Sequence, residues 1–141
     1  MTGKFKNLKA IQNRNKKRIR DYQKGKAKVA ILNSTDAVRN TVVDGIARGV
    51  KTGRDRGDGS IASAAGEYPA TDTGFLVSNV STKVTTEGET VIGQIISAAP
   101  YSKHLEFGTR NMAARPFMQP SLDRNAKKIK EIFVREGIID R

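Results

Sequence analysis

The spacing of apolar residues changes twice along this chain, and these changes limit the folds that it can adopt. In the first third, Val38, Val42 and Ile46 recur every four residues, which is the period of an amphipathic helix. From Phe75 the period changes to two, as in a strand. From Leu122 the helical spacing returns. A helix, a pair of strands and a second helix predict an α+β fold, in which a long N-terminal helix and a C-terminal helix pack on a small antiparallel sheet.

The start of the N-terminal helix is open at this level. An apolar stripe with a broken spacing of three to four residues continues upstream through Phe5, Leu8, Ile19, Tyr22 and Val29. The polar stretch 12–15 and Gly25 interrupt the stripe, so an isolated helix here would be marginal. Either one helix runs through residues 6–50, or a flexible arm precedes a helix at about 36–50. We predict the continuous helix, with a basic N-terminal arm over 1–34 and an α+β domain over 35–141.

A long loop is predicted after this helix. Residues 51–72 contain four Gly residues, several Asp and Arg residues, and Pro69, a composition typical of a loop. Loops of this length are uncommon in compact domains and are often functional. We therefore predict a flexible loop that becomes ordered against a partner.

The alternating segment predicts a β-hairpin. Leu76, Val80 and Val84 share one strand face, and a second β-rich run covers residues 91–96. Gly88 lies between the two runs and favours a tight turn. The predicted sheet is therefore small and antiparallel.

The segment from Pro100 to Pro120 combines a short helix, a stop, a loop and the start of another helix. Pro100 suits the first turn of a helix through Phe107, and Gly108 can adopt the left-handed conformation that ends it. Phe117 lies on a stiff segment between two prolines. We predict that the rings of Phe107 and Phe117 both fill the space between the sheet and the C-terminal helix.

The C-terminal helix is predicted to begin near Pro120. Asp123 would then lie in the first turn, where its negative charge complements the helix dipole. The predicted buried stripe consists of Leu122, Ala126, Ile129 and Phe133. Gly137 is predicted to end the helix.

The positive charge of the chain is concentrated in the arm. The net charge of the 141 residues is +12 at pH 7, and residues 1–28 hold eleven Lys or Arg residues and one acid. Such an arm is a solvated face, a docking surface for an acidic protein, or a sequence-independent contact with DNA phosphates. The candidate contact residues are Lys16, Lys17, Arg18, Arg20, Lys24, Lys26 and Lys28.

The residue types needed for catalysis or metal binding are scarce. The chain has no Cys and one His, which excludes disulfides, thiolate metal sites and multi-histidine metal sites. His104 and Glu106 are two positions apart, so they point to different helix faces and do not form an acid–base pair. We predict an exposed His104, and a Glu106 that caps locally or pairs with Arg110 or Arg115. We predict no enzyme activity, no cofactor and no metal.

Nothing in the sequence predicts a membrane partner. No apolar run approaches the ~20 residues that span a bilayer. The basic N-terminus lacks the apolar stretch of a secretory signal. We expect a soluble protein made in a cytoplasm.

Two motifs with one predicted hairpin between them resemble a known family. Tyr101 to Thr109 is similar to the Tyr-Ala-x-x-x-Glu-Phe-Gly-Thr signature of the tail-completion and head–tail joining proteins of long-tailed bacteriophages, with Ser102 in place of the alanine. A Pro-Phe-x-x-Pro element follows, and upstream a Thr-Gly-x-Leu element opens the family's first strand. The matching residues here are Thr73, Gly74, Leu76, Tyr101, Glu106, Phe107, Gly108, Thr109, Pro116, Phe117 and Pro120.

The resemblance implies a structural role in the neck of a phage particle. It implies a ring, often of six subunits, that completes the tail and joins it to the head connector. The implied partners are other copies of the chain, neck, connector and tail-tube proteins, and possible non-specific contact with packaged DNA. The implied location is the head–tail junction of the virion, after synthesis in the bacterial cytoplasm. The alternative is a small nucleic-acid-binding protein in which the basic arm carries the whole function.

Overall fold

The N-terminal helix is the central element of the fold. The structure is a computed structural model that describes residues 8–140. Helix α1 covers Leu8–Arg48, 41 residues without a break, and is therefore about 60 Å long. The predicted continuous helix is confirmed over these residues, and Phe5 lies outside the described part of the chain. Gly25 does not interrupt the helix.

A β-hairpin lies along α1. Strands β1 (Val80–Glu87) and β2 (Thr90–Ser97) pair antiparallel, with Glu87 opposite Thr90 at the turn. Arg39 of α1 donates to the carbonyl of Val80 at one end of the hairpin (3.1 Å), and Lys24 donates to the carbonyl of Gly88 at the other (2.6 Å). The tip of the hairpin therefore points toward the N-terminal part of α1.

Three further helices complete the α+β fold that the sequence predicts. Helix α2 covers Phe75–Ser78, α3 covers Ser102–Phe107, and α4 covers Met118–Arg135. Helix α4 runs back along α1, since Asn125 donates to the hydroxyl of Thr41 (2.8 Å) and Gly137 lies close to Lys26. The hairpin and α4 both end beside residues 24–26 of α1. Every residue from 8 to 25 is exposed, so this part of α1 extends past the body.

The core is small and draws on every part of the body. Its buried members are Val42, Ile46, Tyr68, Leu76, Val80, Ala99 and Phe117. Tyr68 comes from the loop that follows α1, and its hydroxyl lies 2.9 Å from the hydroxyl of Ser121 on α4. Gly45 makes this possible, because a Cβ atom there would collide with the ring of Tyr68. The loop is thus part of the core, a role that the sequence analysis did not assign.

The Thr-Gly-x-Leu element does not open a strand, as the resemblance implied. Gly74 adopts a left-handed conformation (φ 78°), α2 follows at once, and β1 begins only at Val80. The hydroxyl of Ser78 and the amide of Asn79 both donate to the carbonyl of Phe75. Short polar side chains that bond to nearby carbonyls in this way offer the backbone an alternative to the hydrogen-bond ladder of a sheet.

The predicted geometry of the C-terminal helix is wrong in two respects. The helix begins at Met118, so Asp123 lies beyond its first turn. The buried face consists of Ser121, Asn125 and Ile132, whereas Leu122 and Ala126 are exposed and Ile129 and Phe133 are only half-buried. Ser121 and Asn125 tolerate burial because both are hydrogen-bonded. Three lysines of this helix, Lys127, Lys128 and Lys130, are exposed.

Candidate functional site

Glu106 holds the start of α4. One carboxylate oxygen accepts hydrogen bonds from the backbone N–H groups of Phe117 (2.8 Å) and Met118 (3.0 Å), and the other accepts from Gln119 (3.0 Å). These donors belong to the first turn of a helix, which has no carbonyl partners within the helix. The negative charge also lies at the positive end of the helix dipole. The predicted local capping by Glu106 is therefore confirmed, with the helix eleven residues away as its target.

Arginine is not the partner of Glu106. Among the ion pairs of residues 8–140, none joins Glu106 to Arg110 or Arg115. Arg115 instead donates from its guanidinium to the carbonyl of Ser63 (3.1 Å). Its side chain therefore ties the segment after α3 to the long loop after α1. His104 is exposed, as predicted.

The glycine after α3 has a conformational reason to be there. Gly108 has a φ of 75°, a region that side chains rarely adopt, and donates to the carbonyl of His104 (2.9 Å). A Cβ atom at Gly108 would also lie 2.8 Å from the carbonyl oxygen of Met112. Thr109 forms a short bridge with the same methionine. The motif thus reverses the chain tightly and delivers Glu106 to α4.

The two motif phenylalanines have opposite environments. Phe117 is fully buried, which confirms its predicted place in the core. Phe107 is 75% exposed, so the prediction that its ring fills the space between the sheet and the last helix is wrong. Phe107 is the last residue of α3. Helix α3 has no buried residue, and the Phe107 ring at its end is exposed to water.

The two motifs meet in a groove at the end of the body that lies beside the C-terminal half of α1. The groove has a volume of about 610 Å³. Thr73, Gly74, Leu76 and Tyr101 of the motifs line it, together with Ile46 of α1. The rings of Phe75 and Tyr101 lie 6.3 Å apart at its edge and are 46% and 42% exposed. Pro116 and Pro120 are half-buried and flank the start of α4.

The loop beside this groove is held by hydrogen bonds within the chain. Lys51 donates to the carbonyls of Gly45 (3.0 Å) and Tyr68 (2.9 Å), and partial burial lowers the pKa of its amine. Glu67 accepts from the hydroxyl and the backbone N–H of Thr52 and from the N–H of Ala64. The hydrogen bond from the Thr52 hydroxyl, followed by those from the two N–H groups, lowers the pKa of the Glu67 carboxyl.

The basic residues of the arm lie mainly on one side of α1. Helical spacing places Lys16, Arg20 and Lys24 on the side that faces the body farther along α1. Arg20 accordingly reaches Glu89 at the hairpin tip (3.5 Å). Lys17, Lys24 and Lys26 line a cleft of about 600 Å³ between the arm, the hairpin tip and the residues after α4. Lys28 is exposed on the same side, whereas Arg18 lies near the opposite side.

Potential metal ligands do not cluster in the described residues. Within residues 8–140, no three His, Cys, Asp or Glu side chains come together in a group that could hold a metal ion. None of the helices in this part of the chain is both long enough and apolar enough to cross a membrane. The exposed aromatic groove and the basic arm are the surfaces that stand out.

Comparison with protein-family models, with curated proteins and with solved structures finds no match to this chain.

Proposed function

We propose that this chain is a structural protein of the phage neck, which forms a ring that completes the tail and joins it to the head connector. The proposal takes its family from the two motifs. The structure supports it with a second kind of observation: both ends of the molecule leave large apolar side chains in water.

At one end, Phe75 and Tyr101 line the groove, and Phe107 lies at the end of α3, outside the groove lining. Phe75, Tyr101 and Phe107 are each more than 40% exposed. At the other end, the arm of α1 exposes Ile19 and Tyr22. Contiguous apolar surface of this kind is typical of protein–protein contacts. In a ring, one face of each copy meets a different face of the next, and the groove end is the face that we expect to meet the neighbouring body.

The partners follow from this role. A ring of six subunits would match the symmetry of the tail, and its two faces would meet the connector and the tail-tube protein. DNA that passes through the ring would meet arms with a net charge of +10 over residues 1–28. The protein would be made in the bacterial cytoplasm and be located at the head–tail junction of the virion.

The ring is tested on the purified chain. Mass photometry and negative-stain images of the wild type should show a closed ring. Phe107→Ser should abolish the ring without unfolding the chain, because Phe107 has almost no role in the core. Lys103→Ser, an exposed position on the same helix, is the matched control and should leave the ring intact. A wild-type chain that stays monomeric at high concentration would contradict the proposal.

The arm is tested in the virus. Deletion of residues 1–28 should leave the body folded, since residues 8–25 are exposed throughout. It should block the joining of heads to tails. Fully infectious particles with this deletion would remove the arm from the proposed function.

The basic cleft favours a second candidate, a nucleic-acid-binding protein. Contacts from Lys17, Lys24 and Lys26 would be made with phosphates and would be independent of sequence. Binding to double-stranded DNA should then weaken steeply with salt, with a slope of about −0.9 per phosphate contact in a double-logarithmic plot. Tight DNA binding by a monomer would favour this candidate over the ring.

A further inference from the structure

The arm of α1 has an apolar stripe on the side that faces away from the body. Six large apolar side chains on it are 45–66% exposed: Leu8, Ile11, Ile19, Tyr22, Val29 and Leu32. By helical spacing, Val29 and Leu32 lie opposite Ala30 and Ser34, the first residues of α1 that the body buries. The hairpin and α4 therefore leave this stripe free along its whole length. DNA phosphates would not cover it, because they bind charge and leave apolar side chains in water.

Five of the six side chains of the stripe, all but Ile19, fall on the seven-residue repeat of a coiled coil. With Leu8 as the first a position, the a positions are Leu8, Asn15, Tyr22 and Val29, and the d positions are Ile11, Arg18, Gly25 and Leu32. Of the nine Lys and Arg residues in 8–32, five fall at b, c and f positions, outside the seam: Lys9, Lys16, Lys17, Arg20 and Lys24. A polar residue at a single a position is a known device for fixing the register of two helices.

We propose that residues 8–32 pair with the same segment of a second copy as an antiparallel two-helix coiled coil. In this orientation each a residue meets a d residue of the second copy, around a twofold axis near residue 20. The layers are then Leu8 with Leu32, Ile11 with Val29, Asn15 with Gly25, and Arg18 with Tyr22, each occurring twice.

These four layers are complementary. The two outer layers are aliphatic. The Asn15 amide faces Gly25, where a side chain has no neighbour within 4 Å in the single chain, so there is room for the amide. The guanidinium of Arg18 faces the ring of Tyr22, a favourable cation–π arrangement. Ile19, beside the seam, would lie close to Ile19 of the second copy at the axis.

The parallel orientation is poorer for the same residues. Each residue of the seam would then face the same residue of the second copy. Arg18 would face Arg18, a repulsive contact between like charges, and Gly25 would face Gly25, which leaves a void in the seam. The antiparallel orientation also places the two bodies at opposite ends of the pair. They do not collide, because each body lies on the far side of its own helix from the seam.

The surface available is close to what a specific dimer needs. Twelve half-exposed side chains would remove on the order of 1,000 Å² from water, at roughly 80 Å² each, and specific interfaces begin near that size. Arg14 would lie near Lys28 of the second copy, and each arm is strongly basic. The dimer should therefore tighten as salt screens this repulsion, whereas binding of the arm to DNA weakens with salt.

Single cysteines test the orientation directly, because the full chain contains no Cys. The full-length variants Leu8→Cys and Leu32→Cys are mixed under mild oxidation. The antiparallel pair predicts a disulfide between the two variants and almost none in Leu8→Cys alone. A parallel pair predicts the reverse. Lys16→Cys, on the outer side of the helix, is the control and should remain unlinked, because a disulfide requires Cα atoms within about 7 Å.

Two outcomes would overturn the proposal: self-linking of Leu8→Cys above the level of the mixture, and a wild-type chain that sediments as a monomer at moderate salt without cross-linking in the mixture. Asn15→Leu is expected to keep or strengthen association while it loosens the orientation, so that Leu8→Cys begins to self-link. The pairing needs only this chain and does not rest on the neck role. A dimer without rings would contradict the proposed function alone, and rings without the Leu8–Leu32 disulfide would contradict this inference alone.

Discussion

The replacement of Glu106 by alanine is the most informative single change in this protein. Its carboxylate accepts three backbone hydrogen bonds at the start of α4. Within residues 8–140, no other side chain caps that end of the helix. Glu106→Ala therefore leaves three N–H groups without a protein partner, and the one at Phe117 is only partly reachable by water because that residue is fully buried.

The expected loss follows from the type of contact. Removal of an ordinary capping side chain costs about 1 kcal/mol and up to about 2 kcal/mol. Loss of the charge at the helix terminus adds about 0.3–1 kcal/mol. With three donors, one of them shielded, we expect Glu106→Ala to lower the free energy of unfolding by about 2–4 kcal/mol. For a chain of this length the melting temperature should fall by roughly 10 °C. Glu106→Gln keeps one acceptor oxygen and should cost about half as much.

Urea denaturation of the variants measures these losses, with an unchanged m value as evidence that the change lies in stability. Arg110→Ala is the decisive control, because a carboxylate that paired with arginine would make both variants equally harmful. We expect Arg110→Ala to change the free energy of unfolding by less than about 0.5 kcal/mol. A loss below about 0.5 kcal/mol for Glu106→Ala, or an equal loss for Arg110→Ala, would refute the capping argument.

Three further outcomes are expected from burial and charge. Gly45→Ala should lower the free energy of unfolding by about 1–3 kcal/mol, because its Cβ collides with the buried tyrosine ring. Gly25→Ala lies in open space on the same helix and should raise the free energy of unfolding by about 0.5–1 kcal/mol. Urea denaturation midpoints compare the two variants. In the same assay, Phe117→Ala should lower the free energy of unfolding by about 3–5 kcal/mol, because this ring is fully buried. Phe107→Ala should lower it by under about 0.5 kcal/mol, because this ring is exposed. The lowered pKa of Glu67 stabilises the fold above its unfolded pKa, and that contribution is lost as pH falls through the folded value. Glu67→Gln should therefore flatten the acid limb of a stability–pH curve, and an unchanged limb would contradict the assignment.

The regular elements were predictable because their signals are local. The period of four over Val38, Val42 and Ile46 identifies a helix, and the glycine at the hairpin turn identifies the two strands around it. Gly108 could be recognised as a stop because the conformation it adopts is one that glycine alone takes easily. Each of these inferences needs only residues within a few positions of each other.

The face of α4 was not predictable, because it depends on residues far away in the chain. Ser121 and Asn125 are buried against Tyr68 and Thr41, which are 53 and 84 positions away. From the sequence, the apolar stripe of the helix is the natural core face. Hydrogen bonds across the fold instead bury the polar face of the helix, and Leu122 is left exposed.

The candidate site was also only partly predictable from the sequence. The motif residues were visible in the sequence, but their roles were not. Phe117 and Phe107 both look like core residues, and only the packing of α3 decides that one of them remains in water. Tyr68 was missed altogether. Its signal was a lone large aromatic residue in a loop otherwise rich in glycine and small side chains.

The environment of α1 explains why the chain carries its basic residues where it does. The side of the helix that packs on the body is apolar at Val38, Val42 and Ile46. At the hairpin tip the same side is basic, because Arg20 and Lys24 meet Glu89 and the carbonyl of Gly88 at the edge of the body. If solvation were the only demand on the arm, its reverse side would be polar as well. That side instead keeps an apolar stripe over more than three helical repeats, the surface that the proposed second copy would cover. The arm therefore carries two different surfaces, one basic and one apolar. Variants that neutralise its charge should have different effects from variants that break its seam.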